Sequence, residues 1–168
     1  MKPITPCLWF DDNAEEAVNF YVSVFSAIRG EGCRIKDVVR YGKAASLIAG
    51  RPEGSVQEIA FELQGQELLA LNGGPLFKFS EAISFIIYCR SQDEIDAFWE
   101  RLSEGSEPGQ CGWVKDKYGV TWQVVPENID ALLNQPDAEI ADRVFNTMVT
   151  MGKLDIAQLE QAAEGGSA

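Results

Sequence analysis

The hydrophobic pattern of this 168-residue chain alternates between strand-like runs and helical stripes. An apolar run near the N-terminus is followed by apolar residues at helical spacing, which predicts a strand and then an amphipathic helix. Alternating stretches near 35–41, 57–64 and 66–72 predict three further strands, with Gly65-Gln66 as a tight turn between the last two. The apolar stripe of the helix consists of Ala14, Ala17, Val18, Tyr21, Val22 and Phe25.

The same pattern returns at an offset of 78 residues, because residues 4–21 align without gaps with residues 82–99. Each copy has an apolar run, a capping-box pattern and an amphipathic helix. Two strands joined by a turn follow the second helix. The pattern does not decide whether a further short strand precedes them. The order is therefore β-α-β-β-β twice, with a shorter second copy, and it indicates internal duplication. The capping boxes are Asn13-x-x-Glu16 and Ser91-x-x-Glu94, the second helical stripe is Ile95, Phe98, Trp99 and Leu102, and the late strands lie near 111–116 and 120–126.

Beyond Pro126 the pattern becomes helical. A short helix over 127–134 ends before Pro136, because the residue before proline avoids the helical region. Asp137 and Asp155 are suited to cap two further helices, the last with Ile156 and Leu159 inward. We expect a single domain over 1–168, with module one at about 1–78, module two at about 79–126 and a C-terminal helical extension at about 127–164. The stripe of the middle helix is Ile140, Val144, Phe145, Met148 and Met151.

Composition excludes several classes of protein. The net charge is −12 and no basic run exists, which argues against a nucleic-acid partner. No apolar stretch approaches 18 residues and no signal peptide is recognisable, so we expect no membrane partner and a cytoplasmic location. The four cysteines form no C-x-x-C pair and are expected to be reduced thiols, with Cys111 the most exposed.

Histidine is absent from the sequence. Histidine is the commonest general base and the commonest metal ligand at neutral pH. A Ser-His-Asp triad, a Cys-His pair and a zincin motif are therefore excluded.

Several stretches together are similar to the PhnB-like subfamily of the glyoxalase/bleomycin-resistance/dioxygenase superfamily, also called the vicinal oxygen chelate fold. The resemblance implies an α+β fold in which paired βαβββ modules form a curved mixed sheet around a cleft, with C-terminal helices. It also implies a homodimer. The similar stretches are Pro3–Tyr21, Leu71–Pro75, Phe79–Phe85, Cys111–Pro126 and the closing segment MGKLDIAQLEQA.

Members of this subfamily have often carried the name 3-demethylubiquinone-9 3-methyltransferase. A methyltransferase that binds S-adenosylmethionine usually has a Gly-rich turn leading from a strand into a helix. Here Asn72-Gly73-Gly74-Pro75 leads towards Phe77 and Phe79 and into no predicted helix. We therefore do not expect methyl transfer.

In metal-dependent members of the superfamily, four side chains from the two modules meet in the cleft. The resemblance places these positions near Pro6, near Ser84, at Leu69 or Leu71, and at Gln123. Only Gln123 offers a good ligand atom, whereas a divalent ion needs several donors to offset its lost hydration. We therefore expect no metal and no other cofactor.

Strand alternation predicts which residues line the cleft. If Gln123 faces inward, so do Thr121 and Val125, while Trp122 and Val124 pack beneath the helices. The residues predicted to contact a ligand are Leu8, Leu69, Asn72, Ser84, Ile86, Trp113, Lys115, Thr121 and Gln123.

Three functions remain open at this point. The first is metal-free binding of a small organic ligand in an apolar cleft. The second is an enzyme of the same superfamily, assisted by metal or by carboxylates such as Glu62, Glu67 or Asp116, although Asp116 is also suited to stabilise its own turn. The third is a dimeric interaction protein whose cleft is filled by its own side chains. No catalytic residue is assigned.

Overall fold

The structure is a computed structural model that describes residues 4–106 and 109–165. The chain divides into two compact units, Met1–Phe79 and Ser80–Ala168, here called unit one and unit two. Each unit contains its own mixed sheet, and neither sheet closes on itself. The predicted α+β fold of paired modules is confirmed, with one mixed sheet in each unit.

Unit one has a four-stranded sheet in the order β1-β4-β3-β2. The first strand is parallel to its neighbour β4, and the other two pairs are antiparallel. The long helix α1 packs on one face, against apolar residues such as Ile59 and Phe61 that are fully buried. The elements are β1 Cys7–Phe10, α1 Ala14–Arg29, β2 Cys33–Arg40, α2 Lys43–Ala49, β3 Val56–Leu63 and β4 Gln66–Asn72.

The turn between β3 and β4 lies one residue earlier than predicted. Leu63 pairs with Gln66, so the turn residues are Gln64 and Gly65 and not Gly65 and Gln66. Both have positive φ, 50° and 84°, as the common two-residue hairpin turn of type I′ requires.

Helix α2 was not predicted from the sequence. Its segment Lys43–Ala49 lies between Gly42 and Gly50, and Gly50 ends the helix in the left-handed conformation. None of its residues is buried, so it has no apolar stripe facing a core. A run of good helix formers between two glycines was the available signal.

The two helix starts differ from one another. Ser91 acts as predicted: its hydroxyl accepts from the Glu94 amide at 3.3 Å. The Asn13 side chain makes no capping bond. Instead Oδ1 of Asn72, at the end of β4, accepts from the Ala14 amide at 2.9 Å. The start of α1 is therefore held by a residue 58 positions away.

Unit two has a three-stranded sheet in the order β5-β7-β6. The first and last strands along the chain, β5 and β7, are parallel, as β1 and β4 are in unit one, and α3 covers one face of the sheet. The described residues between α3 and β6 contain no additional strand. In the described residues, the second copy of the repeat therefore has the order β-α-β-β. Its elements are β5 Phe85–Cys89, α3 Gln92–Leu102, β6 Trp113–Lys115, β7 Thr121–Pro126, α4 Ile129–Leu133, α5 Ala138–Met148 and α6 Ile156–Glu164.

The three C-terminal helices build a separate apolar core. Asp137 and Asp155 cap α5 and α6 as predicted, each accepting a backbone N–H at 2.9 Å. Phe145, which was expected in the inward stripe, is half exposed, so its assignment was wrong. The core consists of Val125, Ile129, Leu132, Val144, Met151, Leu154, Leu159 and Ala162.

Within residues 4–106 and 109–165, no helix combines the length and the apolar character needed to cross a membrane.

The repeat offset of 78 recurs in the starts of the elements, because β1 and β5 begin at residues 7 and 85, and α1 and α3 at residues 14 and 92. The faces of the first strands do not follow that offset. Leu8 and Phe10 are buried, whereas Ile86 and Tyr88 are about half exposed. A shift of one residue moves every side chain of a strand to the other face. Residues of β1 and β5 that the ungapped alignment matches therefore lie on opposite faces of their sheets, which corresponds to a shift of one residue.

Candidate functional site

Six predicted ligand contacts lie together in unit two. The strand register sets Trp113, Gln123 and Ile86 side by side across the sheet. Lys115 pairs with Thr121 on the same face, and the Ser84 hydroxyl accepts from Nε2 of Gln123 at 2.8 Å. Tyr88, two residues from Ile86 on β5, was not predicted and shares this face. We call the seven residues the open face of unit two: Ser84, Ile86, Tyr88, Trp113, Lys115, Thr121 and Gln123.

The opposite face of the same sheet is covered by α3. Trp122 and Val124 are buried there, which confirms the alternation predicted for β7. Val125 lies on the Gln123 side, as expected, but it packs into the core of the C-terminal helices. Those helices therefore limit the open face at its Val125 end.

A cavity of about 370 Å³ lies at the β6 side of unit two. Its volume is in the range of small-molecule sites. The side chain of Thr121 is 3% exposed, and its Oγ1 has no hydrogen-bond partner among the described residues. The cavity is lined by Glu81, Ser106, Gly109, Trp113, Val114, Lys115, Asp116 and Thr121.

Lys115 forms an ion pair with Glu81 at this cavity. Its Nζ lies 2.7 Å from Oε1 of Glu81, and both side chains remain substantially exposed. The hydrogen bond from Lys115 lowers the pKa of the Glu81 carboxyl below its ordinary value. The Glu81 carboxylate is therefore charged at neutral pH.

Asp116, although it lines the cavity, is occupied by its own turn. Its Oδ1 accepts from the amides of Tyr118 and Val120 at 2.9 and 3.0 Å, and Oδ2 accepts from Nε1 of Trp122 at 2.8 Å. The amide of Gly119 closes the turn on the Asp116 carbonyl. These bonds confirm that Asp116 stabilises the turn, and they leave it poorly placed to act as a catalytic carboxylate.

In unit one the predicted contacts lie on different faces. Leu69 pairs with Cys7 and Ala60 on the side away from α1 and is half-buried. Leu8 pairs with Ala70 on the side that α1 covers, so the expected common face for Leu8 and Leu69 is wrong. The physical reason is the one-residue shift described above, which gives Cys7 the position expected for Leu8.

Asn72 also points to the helix side of unit one. It is 6% exposed, and both ends of its amide are engaged: Oδ1 with the Ala14 amide and Nδ2 with the Val56 carbonyl at 3.1 Å. These bonds are structural, and a ligand contact by Asn72 stays a prediction.

None of the four cysteines forms a disulfide. Cys7 is the exposed one, while Cys111 is half-buried, so the expectation for Cys111 was wrong. Although the residue as a whole is exposed, its thiol is partly desolvated, and this desolvation, followed by the charge of Glu58, raises the pKa of the Cys7 thiol. A raised pKa lowers the fraction of reactive thiolate.

Glu62 and Glu67 pair directly across β3 and β4. Each is bound to a cation of β2: Glu62 to Arg34 at 3.2 Å and Glu67 to Lys36. In the part of the chain that the structure describes, no group of three or more Cys, Asp or Glu side chains could hold a metal ion. Metal-free function stays a prediction.

Comparison with known proteins extends this picture. The family model described as 3-demethylubiquinone-9 3-methyltransferase matches residues 2–125. Among solved structures, the PhnB protein of Bacillus cereus is 33% identical, with a TM-score of 0.60, covering 74% of this chain and 99% of its own. No curated protein matches.

Two further structures are more distant. Protein PA1353 of Pseudomonas aeruginosa is 20% identical with a TM-score of 0.56, covering 75% of this chain and 98% of its own, which shows a shared fold. A possible glyoxalase of Bacillus cereus is 15% identical with a TM-score of 0.43, covering 74% and 97%. The extent of the family match confirms the resemblance seen in the sequence motifs. The chain belongs to the 3-demethylubiquinone-9 3-methyltransferase family and is similar to the PhnB protein of Bacillus cereus that carries the same description.

Proposed function

We propose that this protein binds a small organic molecule on the open face of unit two, without a metal ion. The observation that supports the proposal is the common orientation of Ile86, Trp113 and Gln123 across three strands. Ile86 and Tyr88 are 47% and 44% exposed on this face. Exposed apolar residues grouped on one face, with a few polar groups among them, are typical of a binding surface.

The polar groups suit recognition and not turnover. Gln123 uses its Nε2 on Ser84, and its Oε1 is an amide oxygen that can accept from a ligand. Asp116 is held by its turn, and Glu81 is paired with Lys115. A site with an apolar surface and one or two oriented amide or hydroxyl groups can bind and orient a ligand.

A screen of several hundred small organic compounds by thermal unfolding tests the proposal. We expect stabilising compounds among apolar molecules with few charges, because binding to the folded state raises the melting temperature. Their affinity, measured by calorimetry, should fall in Ile86→Ala and Gln123→Ala.

Val39→Ala provides the matched control. Val39 is an apolar strand residue of similar exposure, 44%, but it lies on β2 of unit one. Hits whose affinity is equally sensitive to Val39→Ala and Ile86→Ala, or a screen without any hit, would refute binding at the open face.

The family name implies S-adenosylmethionine as a cofactor, and the residues present do not fit it. Between β4 and β5 no helix follows Gly73-Gly74. A Cβ on Gly73 would lie 2.2 Å from the Trp9 ring, so Gly73 is explained by packing on Trp9. The β1–α1 connection carries Asp11 and Asp12 in place of a Gly-rich turn. We therefore do not propose methyl transfer by this protein.

We also propose that the protein acts as a cytoplasmic homodimer. Helix α2 exposes two adjacent apolar side chains, Leu47 at 78% and Ile48 at 90%. Apolar exposure of this extent on one unit favours association. Light scattering coupled to size exclusion should give a mass of two chains, and a single-chain mass at micromolar concentration would contradict it.

A further inference from the structure

Among the described residues of unit two, the Thr121 hydroxyl is a buried polar group whose hydrogen bonding the fold does not satisfy. The residue Thr121 lines the 370 Å³ cavity, and its Oγ1 is buried without a hydrogen-bond partner among the described residues. Leaving a buried hydroxyl without a partner costs free energy that valine, of the same shape, would not cost. A ligand atom in the cavity would supply the missing partner.

We propose that the cavity binds an uncharged group with a hydrogen-bonding oxygen, a carbonyl or a hydroxyl, and that Thr121 is the residue that recognises it. The inference rests on the proposed function, because the cavity shares Trp113, Lys115 and Thr121 with the open face. Thr121 neighbours Lys115 directly in the register, and Trp113 supplies an aromatic wall on the same strand as Lys115.

The charges around the cavity argue for an uncharged ligand. Lys115 and Glu81 already neutralise each other at 2.7 Å. An additional anion would meet Glu81 and Asp116, and an additional cation would meet Lys115, in each case without a free counter-charge in the cavity lining. A hydroxyl can both donate and accept, so Thr121 can bond either a carbonyl or a hydroxyl oxygen.

Three matched probes test the inference on the full chain: 2-acetylnaphthalene, 2-ethylnaphthalene and 2-naphthoate. They share one ring system and differ in carrying a carbonyl, no oxygen, or a carboxylate. We expect the ketone to bind about 5- to 10-fold more tightly than the hydrocarbon, which corresponds to one net hydrogen bond. The carboxylate should bind most weakly.

Thr121→Val should abolish the preference for the ketone over the hydrocarbon, and Thr121→Ser, which keeps the hydroxyl, should retain it. Thr121→Val should also unfold at a temperature equal to or above that of the wild type, because it removes an unpartnered hydroxyl. A markedly less stable Thr121→Val would show that the fold itself uses the hydroxyl and would overturn the inference.

The outcomes separate this inference from the proposed function. Library hits that bind the open face but are indifferent to Thr121→Val, or tightest binding by the carboxylate, would overturn the inference and leave the proposed function standing. Absence of binding by all three probes overturns the inference, and a blank library screen in addition overturns the proposed function.

Discussion

The carboxylate of Asp116 accepts a 2.8 Å hydrogen bond from the indole nitrogen of Trp122, which lies on the strand after the turn. The same carboxylate accepts two backbone amides within the turn. One side chain therefore fixes both the turn and the first buried aromatic of β7. The consequence for function is that Gln123, the next residue, is held in a defined orientation on the open face.

Replacing Asp116 should be among the most destabilising changes outside the apolar core. Asp116→Ala leaves three N–H donors without their acceptor, so we expect a loss of about 3 kcal/mol or more in the free energy of unfolding. Urea denaturation measures it. The matched control is Asp137→Ala, which removes one exposed helix cap and should cost about 1 kcal/mol. Equal losses in the two variants would contradict this account.

The long-range cap of α1 gives a second stability prediction. Asn72→Ala removes the acceptor for the Ala14 amide and the donor to the Val56 carbonyl, and should cost about 2 kcal/mol. Asn13→Ala should cost less than about 0.5 kcal/mol, because the Asn13 side chain makes no capping bond. The pair is compared by urea denaturation. A larger loss of unfolding free energy in Asn13→Ala than in Asn72→Ala would support the capping box that the sequence suggests.

The raised pKa of Cys7 predicts slow alkylation. At pH 8, iodoacetamide should modify Cys7 in the folded protein more slowly than in the urea-unfolded chain, because less of the thiol is ionised. Glu58→Gln removes a nearby negative charge and should raise the rate, whereas Glu62→Gln on the same strand serves as control. Mass spectrometry of the Cys7 peptide gives the rate. An unchanged rate in Glu58→Gln would assign the effect to burial alone.

Metal content decides between ligand binding and a metal-assisted reaction. Elemental analysis of the purified protein, before and after incubation with zinc, nickel, manganese or iron(II), should show far less than one ion per chain. The reason is the donor set: on the open face Gln123 is flanked by Ile86 and Trp113, and the other oxygens are the hydroxyls of Ser84, Tyr88 and Thr121, with no carboxylate among them. Stoichiometric metal that is lost in Gln123→Ala would make a metal-assisted enzyme the leading hypothesis.

Local sequence patterns were sufficient for much of the molecule. Helical spacing located α1, spacing and caps together located α3 and the C-terminal helices, and Asp116–Gly119 was recognised as a turn. Alternation along β7 correctly separated Gln123 from Trp122. These features depend on residues a few positions apart, so their physics is present in the sequence itself.

The arrangement of the strands was decided by tertiary structure. The repeat suggested equivalent faces for Leu8 and Ile86, but Leu8 lies under α1 and Ile86 is exposed. Which face of a strand is buried depends on its register with its neighbours and on the helix that covers it, and a one-residue shift reverses the answer.

By itself, then, the sequence determined the duplicated modules, most of the helices and strands, the family, and the common face of the contacts in unit two. Tertiary structure alone decided the cap of α1 by Asn72, the separation of Leu8 from Leu69, and the burial of the Thr121 hydroxyl without a partner among the described residues. The reason is that each of these depends on which atoms from distant parts of the chain meet, and no local periodicity encodes that contact.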